Sequence, residues 1–167
     1  MNTKYILAAL IMPFSISHAE SIPNRLIDYT QFSQIVATSL AERESHRLTE
    51  AQFIAAMSER GVVLLDARSG SRFAQRHILG AVNLPFTDFT ASTLADEIPS
   101  KSTKILIYCN NNFTGDQESF ASKSPAASLN LSTYTSLKAY GYTNIFELGP
   151  LLDVSKTSIP FSGSKIH

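Results

Sequence analysis

The chain contains one cysteine, Cys109, and three asparagines follow it directly in Leu106-Ile107-Tyr108-Cys109-Asn110-Asn111-Asn112. The thiolate form of cysteine is a strong nucleophile. Backbone amides and asparagine side-chain NH2 groups are the donors that hold such an anion. Two readings therefore stand for Cys109. It is either a nucleophile or a small buried filler, since free cysteine is among the most buried residue types. The compartment, the surrounding fold and the residues that follow it decide between them.

The N-terminus bears on the compartment. Lys4 supplies a short positive region, Tyr5 to Phe14 is apolar, and Ser17-x-Ala19 places small residues where a signal peptidase reads. The apolar run is shorter than the roughly 20 residues that span a bilayer, and no cysteine follows it to carry a lipid. The expectation is a signal peptide over residues 1–19 and an exported protein, periplasmic or secreted, with no membrane anchor after cleavage. In oxidising compartments paired cysteines usually become disulfides. One cysteine cannot pair within its own chain, which leaves intermolecular chemistry or a reactive thiol.

Bulk composition excludes several classes. With 44% apolar residues the chain is ordinary globular protein, and 167 residues suit one domain with a real core. Fourteen basic and fourteen acidic residues cancel, and no Lys/Arg cluster stands out, so nucleic acid and anionic membrane are excluded as partners. His46 and His167 are isolated, His18 falls in the N-terminal segment, and no metal-ligand spacing exists, so no metal is expected.

The elements that must position Cys109 read as follows. Residues 20–46 form an N-terminal helical extension, with Phe32, Ile35, Val36 and Leu40 at helical spacing, Asp28 or Thr30 as N-cap, and Glu42-Arg43-Glu44 as a solvated end. Thr49 and Gln52 have capping-box spacing for a second helix buried through Phe53, Ile54 and Met57, with Gly61 at its end. Val62-Val63-Leu64-Leu65, Ile105-Leu106-Ile107-Tyr108 and Asn144-Ile145-Phe146-Glu147-Leu148 are short apolar runs of the kind covered on both faces, and Ala81-Val82-Asn83-Leu84 is a shorter one. A helix carrying Leu131, Tyr134 and Leu137, capped by Asn130 or Ser132 and stopped at Gly141, precedes the last long run. Strands alternating with helices predict an α/β fold with a mainly parallel sheet. Cys109 then falls just past the C-terminal end of a central strand, the edge where ligands bind. A helix N-terminus facing it favours the thiolate.

Taken in order, these pieces resemble the rhodanese-like domains. Leu65-Asp66-Ala67-Arg68 is similar to that family's strand ending in Asp-x-Arg. Arg72-Phe73 and His77-Ile78-Leu79-Gly80-Ala81-Val82-Asn83-Leu84-Pro85 resemble its HIxGAxNxP segment. Ile105 to Cys109 resembles the strand that carries the active-site cysteine, and Leu137-x-x-Tyr140-Gly141-Tyr142-x-Asn144-Ile145 the helix-to-strand turn after it. The resemblance implies a three-layer α/β domain over residues 47–160 with a five-stranded parallel sheet, followed by a tail at 161–167. It implies sulfurtransferase chemistry without metal or organic cofactor. Cys109 would take sulfane sulfur from a donor and pass it to a small thiophile or a protein thiol. Asn110, Asn111, Asn112 and Phe113 would form the cradle, with the asparagines tolerating left-handed backbone angles. Asp66, Arg68, Arg72 and His77 would support the site, Asp66 and Arg68 as a local ion pair and His77 as a brace for the turn before Gly80.

The sequence also departs from that pattern. No basic residue lies between Cys109 and Lys123, so Lys123 is the nearest cation for an anionic donor, with Arg72 a second candidate. Residues 113–128 are an insertion between the cysteine and its following helix, and long loops in compact domains are functional or disordered. The expectation is a lid or a partner surface. Two rival readings follow: a non-catalytic binding module that uses this loop and the N-terminal helix, and a thiol that forms a mixed disulfide with a partner. N-terminal sequencing of the exported protein is expected to read Glu20 first, and a chain starting at Met1 would overturn the targeting assignment.

Overall fold

Four-residue apolar runs make the centre of the sheet. The computed structural model describes residues 22–166, so the expected signal segment and its cleavage site lie outside the described residues. In chain order the elements are α1 (Tyr29–Ser45), β1 (Arg47–Leu48), α2 (Glu50–Met57), β2 (Val63–Asp66), α3 (Gly70–Gln75), β3 (His77–Ile78), β4 (Val82–Asn83), α4 (Ala91–Glu97), β5 (Ile105–Tyr108), β6 (Phe113–Thr114), α5 (Leu129–Ala139), β7 (Ile145–Leu148), β8 (Leu152–Asp153) and β9 (Phe161–Ser162). Five strands form one parallel sheet in the order β1-β7-β5-β2-β4. The expected fold class is the observed one, and β5, which ends at Cys109, lies in the middle.

The period-2 alternation of a strand explains why these runs are apolar throughout. Leu64, Leu106 and Tyr108 point to one face and pack with Phe53 of α2, Phe113, Phe120 and Ile159. Leu65, Ile105 and Ile107 point to the other and pack with Leu94 of α4, Tyr134 and Leu137 of α5, and Tyr142. Thr49 caps α2 as its spacing predicts: the Gln52 amide donates to Thr49 Oγ1 at 3.3 Å and the Thr49 amide to Gln52 Oε1 at 2.9 Å. Gly61 does take a left-handed φ of 79°, but in the turn leading to β2 rather than directly at the helix end, since α2 stops at Met57.

Three expectations need correction. The stripe of α1 is not buried: Phe32, Val36 and Leu40 are exposed, and the small Ser39 is the buried residue. The stripe lines an open groove against Leu131 and Tyr134 of α5, and Ser39 is where the helix is buried. Glu42-Arg43-Glu44 is not a free solvated end, because Glu42 accepts from Lys138 of α5 at 2.8 Å and Arg43 reaches a buried carboxylate on β7. The α5 helix begins earlier than expected, with Ser128 as N-cap.

The insertion also departs from expectation: it is anchored by packed residues and is not a lid. Phe113 and Thr114 pair in parallel with Leu152 and Asp153. Gly115 turns the chain at φ 87°, and Asp116 caps the following turn by accepting from the Ser119 amide at 3.0 Å. Asp116 also pairs with Arg76 at 3.2 Å. Phe120 is wholly buried, its ring 4.6 Å from that of Phe113 and 5.9 Å from that of Phe161. A lid has no such anchor. Phe120→Ala is accordingly expected to destabilise the protein by about 3–5 kcal/mol in denaturant melts. A loss below about 1 kcal/mol would return the segment to the loop class.

Candidate active site

The end of β5 delivers Cys109 into a single 3-10 turn, Asn110–Asn112. The thiol is almost fully buried, and it lines a cavity of about 290 Å3. The Asn112 amide donates back to the Cys109 carbonyl at 3.2 Å, which closes the turn. Ser128 Oγ lies 3.4 Å from Sγ. Ser128 makes no side-chain bond to its own helix, so its hydroxyl is left to the sulfur. The cysteine therefore faces the N-terminus of α5, which presents unpaired amides and the positive end of the helix dipole.

Asn112 holds this arrangement together. Its Oδ1 accepts from the Cys109 amide at 2.9 Å and from Asn130 Nδ2 at 3.2 Å, and its Nδ2 donates to the Leu148 carbonyl at 2.7 Å. One amide side chain thus ties the end of β5 to the end of β7 and to the first turn of α5. Asn111 has a different job. It exchanges hydrogen bonds with the backbone of Lys123, donating to its carbonyl at 2.8 Å and accepting from its amide at 2.9 Å. That pair closes the insertion on itself.

The remaining expected residues fall away from the thiol. Asn110 is buried and lines a second cavity of about 370 Å3 together with Arg68, Arg72 and Lys123. Lys123 and Arg72 thus lie in a different cavity from Cys109, and Arg72 is engaged by the Glu118 carbonyl. Phe113 is a core residue with no exposed surface, not a lining one, because β6 turns it toward Tyr108 and Phe161. No asparagine of the triplet uses the left-handed region: among the described residues only glycines have positive φ. A 3-10 turn in ordinary right-handed angles makes the cradle instead.

Asp66 and Arg68 form a buried pair at 2.6 Å. His77 Nδ1 bonds the Phe73 carbonyl at 2.7 Å and its ring stacks on Phe73, which braces the turn ahead of Gly80. Among the described residues no group of His, Cys, Asp and Glu is arranged to hold a metal ion.

Five residues of the cysteine cavity escaped sequence reasoning: Arg43, Arg47, Ser128, Asn130 and Glu147. Glu147 was legible as an anomaly, a carboxylate inside an apolar strand run, and a buried charge demands partners. Those partners are Arg43 Nη2 at 2.8 Å and Arg47 Nε at 3.3 Å from Glu147 Oε1. Strand register places Arg47 directly beside Glu147, and Ile107 on its other side. Burial pushes the Glu147 carboxyl up, while the charge of Arg43 and a hydrogen bond from Asn130 pull against that rise.

The family model of the rhodanese-like domain matches residues 49–149, and the chain belongs to that family. The solved rhodanese-like domain of the Alr3790 protein from Anabaena sp. is 22% identical, with a TM-score of 0.50 over 72% of this chain and 80% of that one. A second structure of Alr3790 is 20% identical, with a TM-score of 0.49 over 71% of this chain and 94% of that one. A rhodanese from E. coli, solved with anions, is 21% identical, with a TM-score of 0.42 over 62% of this chain and 99% of that one. Likenesses at this level speak to fold alone. No curated protein matches the chain.

Asn112→Ala would leave the buried Cys109 amide and Leu148 carbonyl without partners. Each orphaned group costs about 1–3 kcal/mol, so this variant is expected to melt at clearly lower denaturant, whereas Asn111→Ala, at a more exposed position, loses much less.

Proposed function

We propose that the protein is a sulfurtransferase that works through a persulfide on Cys109. The observation that carries this reading is the setting of the thiol: at the C-terminal end of the central strand, on a cavity, with Ser128 Oγ 3.4 Å from sulfur at the start of α5. Family membership supports it. Hydrogen bonds to the charged form of a thiol, together with a helix N-terminus, favour the thiolate.

The steps balance as two displacements at sulfur. The Cys109 thiolate attacks the sulfane sulfur of a donor; the new Sγ–S bond forms as the donor's bond to that sulfur breaks, and the leaving group departs with the electron pair. A thiosulfate donor would release sulfite. The anionic persulfide rests beside the Ser128 hydroxyl at the N-terminus of α5. A thiophile, cyanide or a small or protein thiolate, then attacks the outer sulfur, and Cys109 leaves again as thiolate. Neither step needs an external oxidant or a metal. If the segment at residues 1–19 directs export, as its pattern suggests, the donor and acceptor are met outside the cytoplasm.

The alternative of a non-catalytic module built on the 113–128 loop has less support, because the two large apolar side chains of that segment, Phe113 and Phe120, point inward. The test is intact mass of the native protein after exposure to thiosulfate or polysulfide. Wild type is expected to gain one sulfur, removable by cyanide or dithiothreitol. Cys109→Ser should gain none and melt within a few degrees of wild type, since the swap is close in volume. A native thiol that stays unmodified until the chain is unfolded would make Cys109 a filler and end this reading.

A further inference from the structure

The active-site loop holds no cation, yet the cysteine cavity is not without positive charge. Two guanidinium groups line it, Arg43 from the last turn of α1 and Arg47 from β1, against one carboxylate, Glu147. Both arginines lie before residue 49, outside the segment that the family model matches. The cation expected on the loop is therefore delivered from another direction, by the N-terminal extension. The docking of α1 on α5 and the pairing of β1 with β7 both bring it there.

The geometry fits anion recognition rather than charge neutralisation alone. Glu147 is buried; Arg43 Nη2 donates to its Oε2 at 2.8 Å, which orients that guanidinium, and Arg47 Nε lies 3.3 Å from its Oε1 as an ion pair. A guanidinium carries five donors, and one carboxylate does not satisfy two of them. Arg43 Nε is buried and has no hydrogen-bond partner among the described residues. Arg47 Nη2 donates to the Gly149 carbonyl at 3.1 Å, and the other acidic neighbour of Arg47, Glu44 at 3.7 Å, is on the exposed surface, where solvent screens it. The cavity keeps one net positive charge beside the thiol.

We propose that Arg43 and Arg47 are the specificity-determining residues of the Cys109 cavity, and that they select small anionic sulfur compounds, whose oxyanion or carboxylate end they bind while the sulfane sulfur meets Sγ. This rests on the sulfur-transfer reading for the identity of the donor, but the charge selectivity itself is a property of the cavity. Glu147 is a positioning residue that orients Arg43 and pairs with Arg47.

The test compares alkylation of Cys109 by iodoacetate, an anion, and iodoacetamide, its neutral counterpart. In both reactions Sγ displaces iodide from the same kind of carbon, so the rate ratio reads the charge around the thiol. The reference is the same cysteine in the urea-unfolded chain, since urea adds no screening ions. Native wild type is expected to favour iodoacetate by about threefold to tenfold relative to that reference, the size of one unit charge about 4 Å away in the water-like dielectric of an open cavity. Added salt should shrink the preference.

Arg47→Gln and Arg43→Gln should each bring the ratio back toward the unfolded value, and Arg43→Lys should retain most of it. Arg60→Gln, on the exposed turn before β2, should leave it unchanged. If Arg43→Gln fails to fold, the more exposed Arg47→Gln carries the test. A wild-type ratio equal to the unfolded one, or ratios untouched by the Gln variants, overturns the assignment even if sulfur transfer is observed. Charge selectivity without any sulfur uptake keeps the anion cavity and overturns the sulfurtransferase instead. A native thiol that neither reagent reaches overturns both.

Discussion

A guanidinium and a carboxylate, both out of contact with water, organise this domain. Arg68 and Asp66 lie 2.6 Å apart at the end of β2, and a buried ion pair is tolerable only when every remaining donor and acceptor is matched. Here the matching is what joins the chain's parts. Arg68 donates onward to the Ser119 carbonyl of the insertion at 2.9 Å and to the Arg76 carbonyl at 2.8 Å. Asp66 accepts from Tyr108 Oη at 2.5 Å, and that oxygen in turn accepts the Ile78 amide at 3.1 Å. Burial, with the nearby Asp66 charge, pushes the Tyr108 hydroxyl well above its ordinary range, so it stays a donor. One residue later the chain is at Cys109. The position of the thiol is thus a consequence of where β2, β3 and the insertion are tied.

The insertion is held by the same pair and explains how the cysteine loop survives being interrupted. Lengthening a connection costs little in closure entropy, because that cost grows only with the logarithm of length. The added residues here also bury apolar surface of their own through Phe113 and Phe120, with the guanidinium of Arg68 4.5 Å from the centre of the Phe120 ring. The chain returns through Pro125–Ala127 to set Ser128 and the start of α5 against the sulfur. A helix N-terminus still faces the thiol, reached by a longer route.

Polar groups run from the thiol loop to the N-terminal extension: Cys109 bonds Asn112, Asn112 bonds Asn130, Asn130 lines the same cavity as Glu147, and Glu147 pairs with Arg43 and Arg47. Each link sits in or beside the core, where an unmatched group is expensive. The extension is therefore part of the site. It supplies charge that the loop lacks, and Glu147 is the buried residue that makes this necessary.

The sequence alone determined the sheet, the strand that carries Cys109, and the packing face of α2, because all three follow from local periodicity and capping chemistry. Ile105 to Tyr108 had to be a doubly covered strand, and Thr49 with Gln52 had to start a helix. It also determined that Cys109 would sit at the ligand-binding edge, since that position follows from being one residue past such a strand. What only the tertiary structure decided was which residues share space with the thiol. Phe113 follows the asparagines in the chain and yet points into the core. Lys123, the nearest cation in sequence, lies in another cavity. Arg43 and Arg47, more than half the domain away along the chain, line the right one. Their placement depends on strand register and on how α1 docks against α5, and long-range contacts of that kind leave no local spacing to read. Glu147 was the one visible sign, a charge where a strand had no room for water, and its partners became known only when the fold brought them to it.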